Sequence, residues 1–147
     1  MEYINADSLV DTAWVETHLD DPNVRILDGS WHLPATGRDG LAEYTASHIP
    51  GAVHFDINAV SDKTSALPHM LPTANEFADA VSAMGISNEH RVVVYDADGL
   101  FSAPRVWWMF RVFGHDNVAL MSGGYRKWSG EGRQITAEPS SPAPAKF

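Results

Sequence analysis

The chain has 147 residues, of which 44% are hydrophobic, including five Trp and six Phe, so it is long and apolar enough to form one globular domain. Its formal net charge of −9 argues against nucleic acid and anionic membranes as partners, because proteins bind both largely through Lys and Arg. It has no Cys, which excludes disulfides, thiolate metal sites and thiol nucleophiles, and because it has neither a run of about eighteen apolar residues nor a secretory signal pattern we expect a soluble, cytoplasmic protein.

Helical and strand patterns alternate in the first third of the chain. Ser8, followed three residues later by Asp11, resembles a capping box and predicts an amphipathic helix over about residues 8–20. The short β-branched segments predict strands at residues 24–28 and 52–55, and a short helix is expected between them at about residues 41–47.

The rest of the chain repeats this alternation with clearer signals. Thr73 and Glu76 form a second capping-box pattern, which predicts a helix that ends near Gly85. Strands are expected at residues 91–95 and 118–121, a helix over residues 103–113 and a short helix over 125–129. Alternation at this spacing predicts an α/β fold with a mostly parallel sheet covered by helices on both faces.

The end of the chain has a different composition. Residues 135–147, ITAEPSSPAPAKF, carry three Pro among small and polar residues, which is typical of an extended linker with little to bury. We therefore expect one domain over residues 1–134, a linker over 135–147, and a longer protein of which this chain is the first part.

The segment VVVYDADGLFSAPRVWW leads from a buried strand through a loop into an apolar helix, which is where open α/β folds place their chemistry. Asp96 and Asp98 in this loop permit two interpretations. They match the local pattern of a haloacid-dehalogenase-like phosphatase, in which an Asp nucleophile attacks phosphate beside magnesium. More often such residues make turn and cap hydrogen bonds, and their carboxylates then occupy the place where an anion would bind or repel an anion from it.

Other candidate sites are weaker. None of the seven His are spaced three or four residues apart, and without Cys the sequence predicts no metal site and no cofactor. Ser102 lacks the flanking glycines of a nucleophile elbow, and the turn Ser122–Gly124 is more often close packing than a phosphate loop. Trp31 lies in a predicted loop, where an aromatic side chain is more often exposed or set at an interface.

Four segments occur in an order and spacing that resemble the rhodanese family: LDGSW, EYTASHIPGAVHFD, VVVYDADGLFSAPRVWWMFRVFGH and SGGYRKW. More narrowly, they look like the N-terminal module of the tandem thiosulfate and 3-mercaptopyruvate sulfurtransferases, whose interdomain linker the Pro-rich end also resembles. This resemblance implies a rhodanese-like α/β fold with a central, mostly parallel five-stranded sheet and helices on both faces.

The resemblance also implies where catalysis takes place. The working module of this family carries a Cys in the loop after the fourth strand, where backbone N–H groups stabilise a persulfide anion, and Asp96 stands at that position here. The chain alone is therefore expected to be inactive, with catalysis in a C-terminal rhodanese domain of the same polypeptide that takes sulfur from a small anionic donor. Whether that donor is thiosulfate or 3-mercaptopyruvate stays open, and so does a stand-alone inactive module that binds a protein partner.

Individual residues carry over from the family by position. Trp31, Leu33 and Phe101 are candidates for facing the cleft or the partner domain. Seven further residues match family signatures that are expected to hold the fold: Asp28, His48, Gly51, Trp107, Gly123, Gly124 and Trp128.

Overall fold

A computed structural model of the chain describes residues 5–147, so residues 1–4 of the predicted domain lie outside the described part. The strands are β1 Leu9–Val10, β2 Val24–Asp28, β3 Val53–His54, β4 Arg91–Tyr95 and β5 Val118–Met121. The α-helices are α1 Thr12–Thr17, α2 Gly40–Ala46, α3 Ala74–Ala83, α4 Ala103–Val112 and α5 Gly124–Gly130, and short 3-10 helices span Ala6–Ser8 and Pro34–Thr36. None of these helices is long and apolar enough to cross a membrane.

The strands form one five-stranded sheet in the order β1-β5-β4-β2-β3, and every pairing is parallel. Alternate residues of β4 point to opposite faces of the sheet. Val92 and Val94 belong to a core cluster that includes Phe77 of α3. Val93 belongs to a second cluster, which includes Trp128 of α5. The predicted α/β fold, with a parallel five-stranded sheet covered on both faces, is therefore confirmed.

The sheet order brings two loops together. β2 and β4 are neighbours, but the chain continues from β2 outward to β3 and from β4 in the other direction to β5. In open α/β sheets a crevice forms at the carboxyl ends of the strands where the direction changes in this way. The loops that begin at Gly29 and at Asp96 meet at this crevice.

The predicted helix over residues 8–20 is wrong at both ends. Leu9 and Val10 form β1, which pairs with β5, and α1 spans only Thr12–Thr17. The N-cap is Asp11, whose carboxylate accepts a hydrogen bond from the Trp14 N–H at 2.7 Å. The apolar residues at positions 9 and 10 fit the helical period, but pairing with the edge of the sheet determines their conformation.

The predicted linker packs on the domain. Thr136 and His48 exchange backbone hydrogen bonds of 2.9 Å as an isolated antiparallel bridge. The Ala145 N–H donates to the carbonyl of Ser82 at 2.9 Å, and Phe147 is half-buried against the main core cluster. The expectation that this segment has little to bury is wrong for its last residues, while its role as an interdomain linker stays a prediction.

Candidate active-site loop

The loop after β4 is organised around the side chain of Asp96, which is only 1% exposed. Its Oδ1 accepts hydrogen bonds from the N–H groups of Asp98 at 3.1 Å and Gly99 at 2.6 Å. Its Oδ2 accepts three more at 2.8 Å, from the N–H groups of Phe101, Ser102 and Ala103. The loop therefore points five backbone N–H groups at one carboxylate.

Converging N–H groups of this kind form an anion-binding site, and Asp96 fills it with a charge that belongs to the protein. An external anion would have to displace a buried carboxylate that is covalently attached to the loop. The same geometry argues against the phosphatase interpretation, because a nucleophilic carboxylate needs an accessible oxygen, whereas both oxygens of Asp96 are buried and hydrogen-bonded. The turn and cap interpretation of Asp96 matches the structure.

The turn at Ser122–Gly124 packs directly on this loop. A Cβ at Gly124 would lie 2.5 Å from the Gly99 nitrogen and 2.6 Å from the Asp96 carbonyl oxygen. The Tyr125 N–H donates to that same carbonyl at 2.8 Å, and the Arg126 N–H donates to the Ala97 carbonyl at 3.1 Å. The two N–H groups that follow the turn are thus engaged by the loop, and the close approach at Gly124 fits the close-packing interpretation of the turn.

We call residues 96–102, which stand where the resemblance places the catalytic loop, the active-site loop. Ser102 joins this loop to the loop after β2. Its hydroxyl donates to the Gly29 carbonyl at 2.7 Å and accepts from the Trp31 N–H at 3.0 Å. Arg38 adds an exposed ion pair to Asp98 at 3.4 Å. The Ser102 hydroxyl thus holds two loops in place, which leaves no support for a nucleophilic role.

Asp28, at the end of β2, is the second buried carboxyl group at this edge of the sheet. Its Oδ1 accepts a hydrogen bond from the Ser30 N–H at 2.8 Å and lies 3.9 Å from the Nδ1 of His54. Burial raises the pKa of Asp28, and the nearby Asp96 acts in the same direction. Its contacts hold the start of the loop that carries Trp31.

The two aromatic residues predicted to face a cleft lie side by side. The rings of Trp31 and Phe101 are stacked with 6.5 Å between centroids, and the rings of Trp31 and His69 are edge-to-face with 4.8 Å between centroids. Phe101 is 52% exposed and Leu33 is 51% exposed. Sequence reasoning missed Leu100, which is 55% exposed beside Phe101 and could have been noticed as a second apolar residue in a polar loop. We call Trp31, Leu33, Leu100 and Phe101 the loop face.

The remaining predicted residues lie outside the active-site loop, although Gly124 packs directly on it. His48 is buried, and its Nδ1 lies 2.7 Å from the Tyr44 carbonyl oxygen. The indole N–H of Trp107 donates to the Val118 carbonyl at 3.2 Å, and that of Trp128 donates to the Gln134 carbonyl at 2.8 Å. Each of these side chains ties its own element to a neighbouring segment.

Gly51 and Gly123 occupy turns with φ values of 81° and 85°, in the left-handed region that favours glycine. Within residues 5–147 no group of three or more His, Asp or Glu side chains is arranged to hold a metal ion.

Comparisons of the sequence and the structure with known proteins identify the family. The family model for the rhodanese-like domain matches residues 11–131. The thiosulfate sulfurtransferase of Bos taurus is 49% identical and the 3-mercaptopyruvate sulfurtransferase of Rattus norvegicus is 47% identical, each over 146 residues that cover 95% of this chain and 49% of the relative. The crystal structure of SseA from Escherichia coli, a 3-mercaptopyruvate sulfotransferase, matches with a TM-score of 0.90 at 40% identity, over 95% of this chain and 54% of SseA. The chain spans about half the length of these relatives.

Proposed function

The chain belongs to the rhodanese-like domain family, and from that premise we propose that it is the non-catalytic N-terminal module of a sulfurtransferase. The parent enzyme would move sulfane sulfur from thiosulfate or 3-mercaptopyruvate to cyanide or a thiol. The observation that carries this proposal is the environment of Asp96, whose carboxylate occupies the N–H groups of the active-site loop.

Sulfur transfer of this kind requires a thiolate. The thiolate attacks the terminal sulfur of the donor, and the bond from that sulfur to the rest of the donor breaks. The electron pair of that bond leaves with sulfite or with the enolate of pyruvate, and a persulfide remains on the protein. The chain contains no Cys, and a carboxylate at position 96 cannot hold sulfane sulfur in this way. The catalytic nucleophile is therefore assigned to a second module.

The loop face supports contact with that second module. Leu100 and Phe101 lie in the loop in which the family places its chemistry, Leu33 follows β2, and all three are more than half exposed. Apolar side chains grouped at such a position are typical of a surface that another protein or domain covers. In the parent enzyme this face would close one side of the cleft that receives the anionic donor.

A stand-alone inactive module that binds a separate protein is the second candidate, because the same loop face could receive that protein. The two candidates differ in whether a catalytic module gains activity from this chain. A cytoplasmic location and the absence of nucleic-acid and membrane partners stay predictions from composition and charge.

A chimera tests the proposal. The chain would replace the part of SseA that it matches, so that the rest of SseA supplies the second module, and thiocyanate formation from 3-mercaptopyruvate and cyanide would be measured. We expect sulfurtransferase activity, and we expect Phe101→Asp to lower it by about tenfold or more by placing a charge in a covered apolar contact. A folded but inactive chimera would contradict the proposal and favour the stand-alone module.

Val112→Asp is the matched control for this experiment. Val112 is 45% exposed, close to the 52% of Phe101, but it lies at the opposite end of α4, about 13 Å along the helix from Ala103. We expect the control to keep the activity of the parent chimera. Equal losses in both variants would mean that a surface charge alone impairs the chimera, which would contradict a role of the loop face.

A further inference from the structure

The last residues of the chain are fastened to the end of α3. The N–H of Ala145 donates to the carbonyl of Ser82, and the N–H of Phe147 donates to the hydroxyl of Ser82 at 3.0 Å. Pro142 lies against Gly85, so closely that a Cβ at Gly85 would lie 2.8 Å from the Cβ of Pro142. We call residues 142–147 the strap.

Phe147 anchors the strap in a cluster of aromatic rings. Its ring centroid lies 5.7 Å from that of Phe77 and 6.0 Å from that of Phe110, both with edge-to-face geometry. The imidazole centroid of His115 lies 5.5 Å from that of Phe147 and 5.6 Å from that of Phe110. One member of this otherwise apolar cluster can therefore acquire a charge.

His115 is poorly placed to carry that charge. It is 4% exposed, and its Nε2 is buried without a hydrogen-bond partner. Burial lowers the pKa of His115, whereas backbone contacts with His90 and Asn117 and the charge of Asp116 act more weakly in the opposite direction. The titratable group next to it is His90, whose pKa is lowered by burial and by the charges of Arg25 and His115. Lys146 is the charged side chain of the strap.

We propose that the strap is a pH-dependent latch, in which Phe147 stays docked while His115 is neutral and leaves the aromatic cluster when His115 is protonated. Leaving exposes the imidazolium to water and removes the aromatic face that excludes it. A titratable ring in the docking site makes the conformation of the strap depend on pH, which an all-apolar cluster would not do.

The direction of the effect follows from linkage. Docking favours the neutral imidazole, so the docked state is most stable above the ordinary His pKa of 6.5 and loses stability as the pH falls below it. One proton changes the docking equilibrium by at most about tenfold per pH unit. On the proposed function, on which this consequence rests, release would loosen the placement of the partner module on this domain.

Amide hydrogen exchange by NMR tests the latch in the whole chain. Exchange rates of Ala145 and Phe147 would be compared with those of unprotected peptides at each pH, from about pH 7.5 to about pH 5. We expect protection at both amides to fall by about tenfold or more over this range, while Val93 in β4 keeps its protection. Constant protection at the strap, or an equal loss at Val93 through global unfolding, would overturn the latch.

The variant His115→Phe keeps an aromatic ring but cannot titrate, so protection of Ala145 and Phe147 should become independent of pH. His90→Gln is the control for the neighbouring imidazole and should leave the pH dependence as it is in the unaltered chain. A pH dependence that survives in His115→Phe, or disappears in His90→Gln, would show that His115 is not the responsible group.

Two further measurements make the test independent of how the His115 variant folds. In the unaltered chain the ring C–H resonances of His115 should titrate below pH 6.5, with the same midpoint as the loss of protection at Ala145. Ser82→Ala should expose the amide of Phe147 at neutral pH and keep that of Ala145 protected, because only the hydroxyl is removed. Titration of His115 without any change at the strap would refute the coupling. None of these readouts involves sulfur transfer, so failure of the latch and failure of the proposed function are distinguishable.

Discussion

Replacing Asp96 with Asn is expected to destabilise the fold strongly, although the two side chains have nearly the same shape. The carboxylate accepts five N–H groups through two oxygens, and Asn has only one carbonyl oxygen. Its amide NH₂ is a donor and would face other donors. The less damaging orientation places the NH₂ at the Oδ1 position, opposite the N–H groups of Asp98 and Gly99.

The magnitude follows from those two lost acceptor contacts. Each buried donor left without a partner costs about 1–3 kcal/mol, so the free energy of unfolding should fall by about 2–6 kcal/mol. Asp98→Asn is the matched control, since Asp98 is half exposed and its ion pair to Arg38 at 3.4 Å is screened by solvent. That control should cost about 1 kcal/mol or less.

Urea unfolding followed by Trp fluorescence measures both variants, with the midpoint and the slope fitted separately. A loss of about 1 kcal/mol or less in Asp96→Asn, no larger than in Asp98→Asn, would refute the argument that Asp96 satisfies the N–H groups of the loop.

Two further changes probe the neighbourhood of the active-site loop. Gly124→Ala should lower the free energy of unfolding by about 2–4 kcal/mol, because φ is +65° and the new Cβ would overlap Gly99 and Asp96. The control Gly37→Ala, with φ +67° and no atom within 4 Å of the new Cβ, should lower it by only about 1–2 kcal/mol. Similar losses for both variants in urea unfolding would show that close packing at Gly124 does not matter. Burial raises the pKa of Asp28, so the unaltered chain should lose stability relative to Asp28→Asn as the pH rises from the unfolded pKa near 3.8 through the higher folded pKa. Urea midpoints of both proteins would be measured in steps from about pH 3.5 to about pH 7. A gain in stability of the unaltered chain relative to the variant as the pH rises would contradict this reasoning.

Local signals in the sequence were enough to predict most elements of the fold. The helix beginning after Thr73 has the predicted capping box, in which the Thr73 hydroxyl accepts from the Glu76 N–H and the Glu76 carboxylate accepts from the Thr73 N–H. The local pattern predicts a helix for Leu9 and Val10, whereas their partners in β5, Leu120 and Met121, lie more than a hundred residues away. Pairing across such a distance cannot be detected from the local spacing of apolar residues.

Some contacts of the candidate site could likewise be predicted from the sequence, and others could not. That Asp96 makes turn and cap hydrogen bonds could be predicted from its neighbours, because all its partners lie within seven residues. The bond from Ser102 to Gly29 spans 73 residues, and the docking of Phe147 on His115 depends on how α3 and α4 pack. Both contacts arise from the tertiary fold, which residue spacing does not reveal.

We propose that this chain cannot hold sulfane sulfur, because Asp96 fills the active-site loop and no Cys is present. The most direct test is to incubate the purified chain with cyanide and either thiosulfate or 3-mercaptopyruvate and to measure thiocyanate. We expect formation no faster than without protein. Thiocyanate formation at an enzyme-like rate, lost on heat denaturation of the chain, would contradict the account.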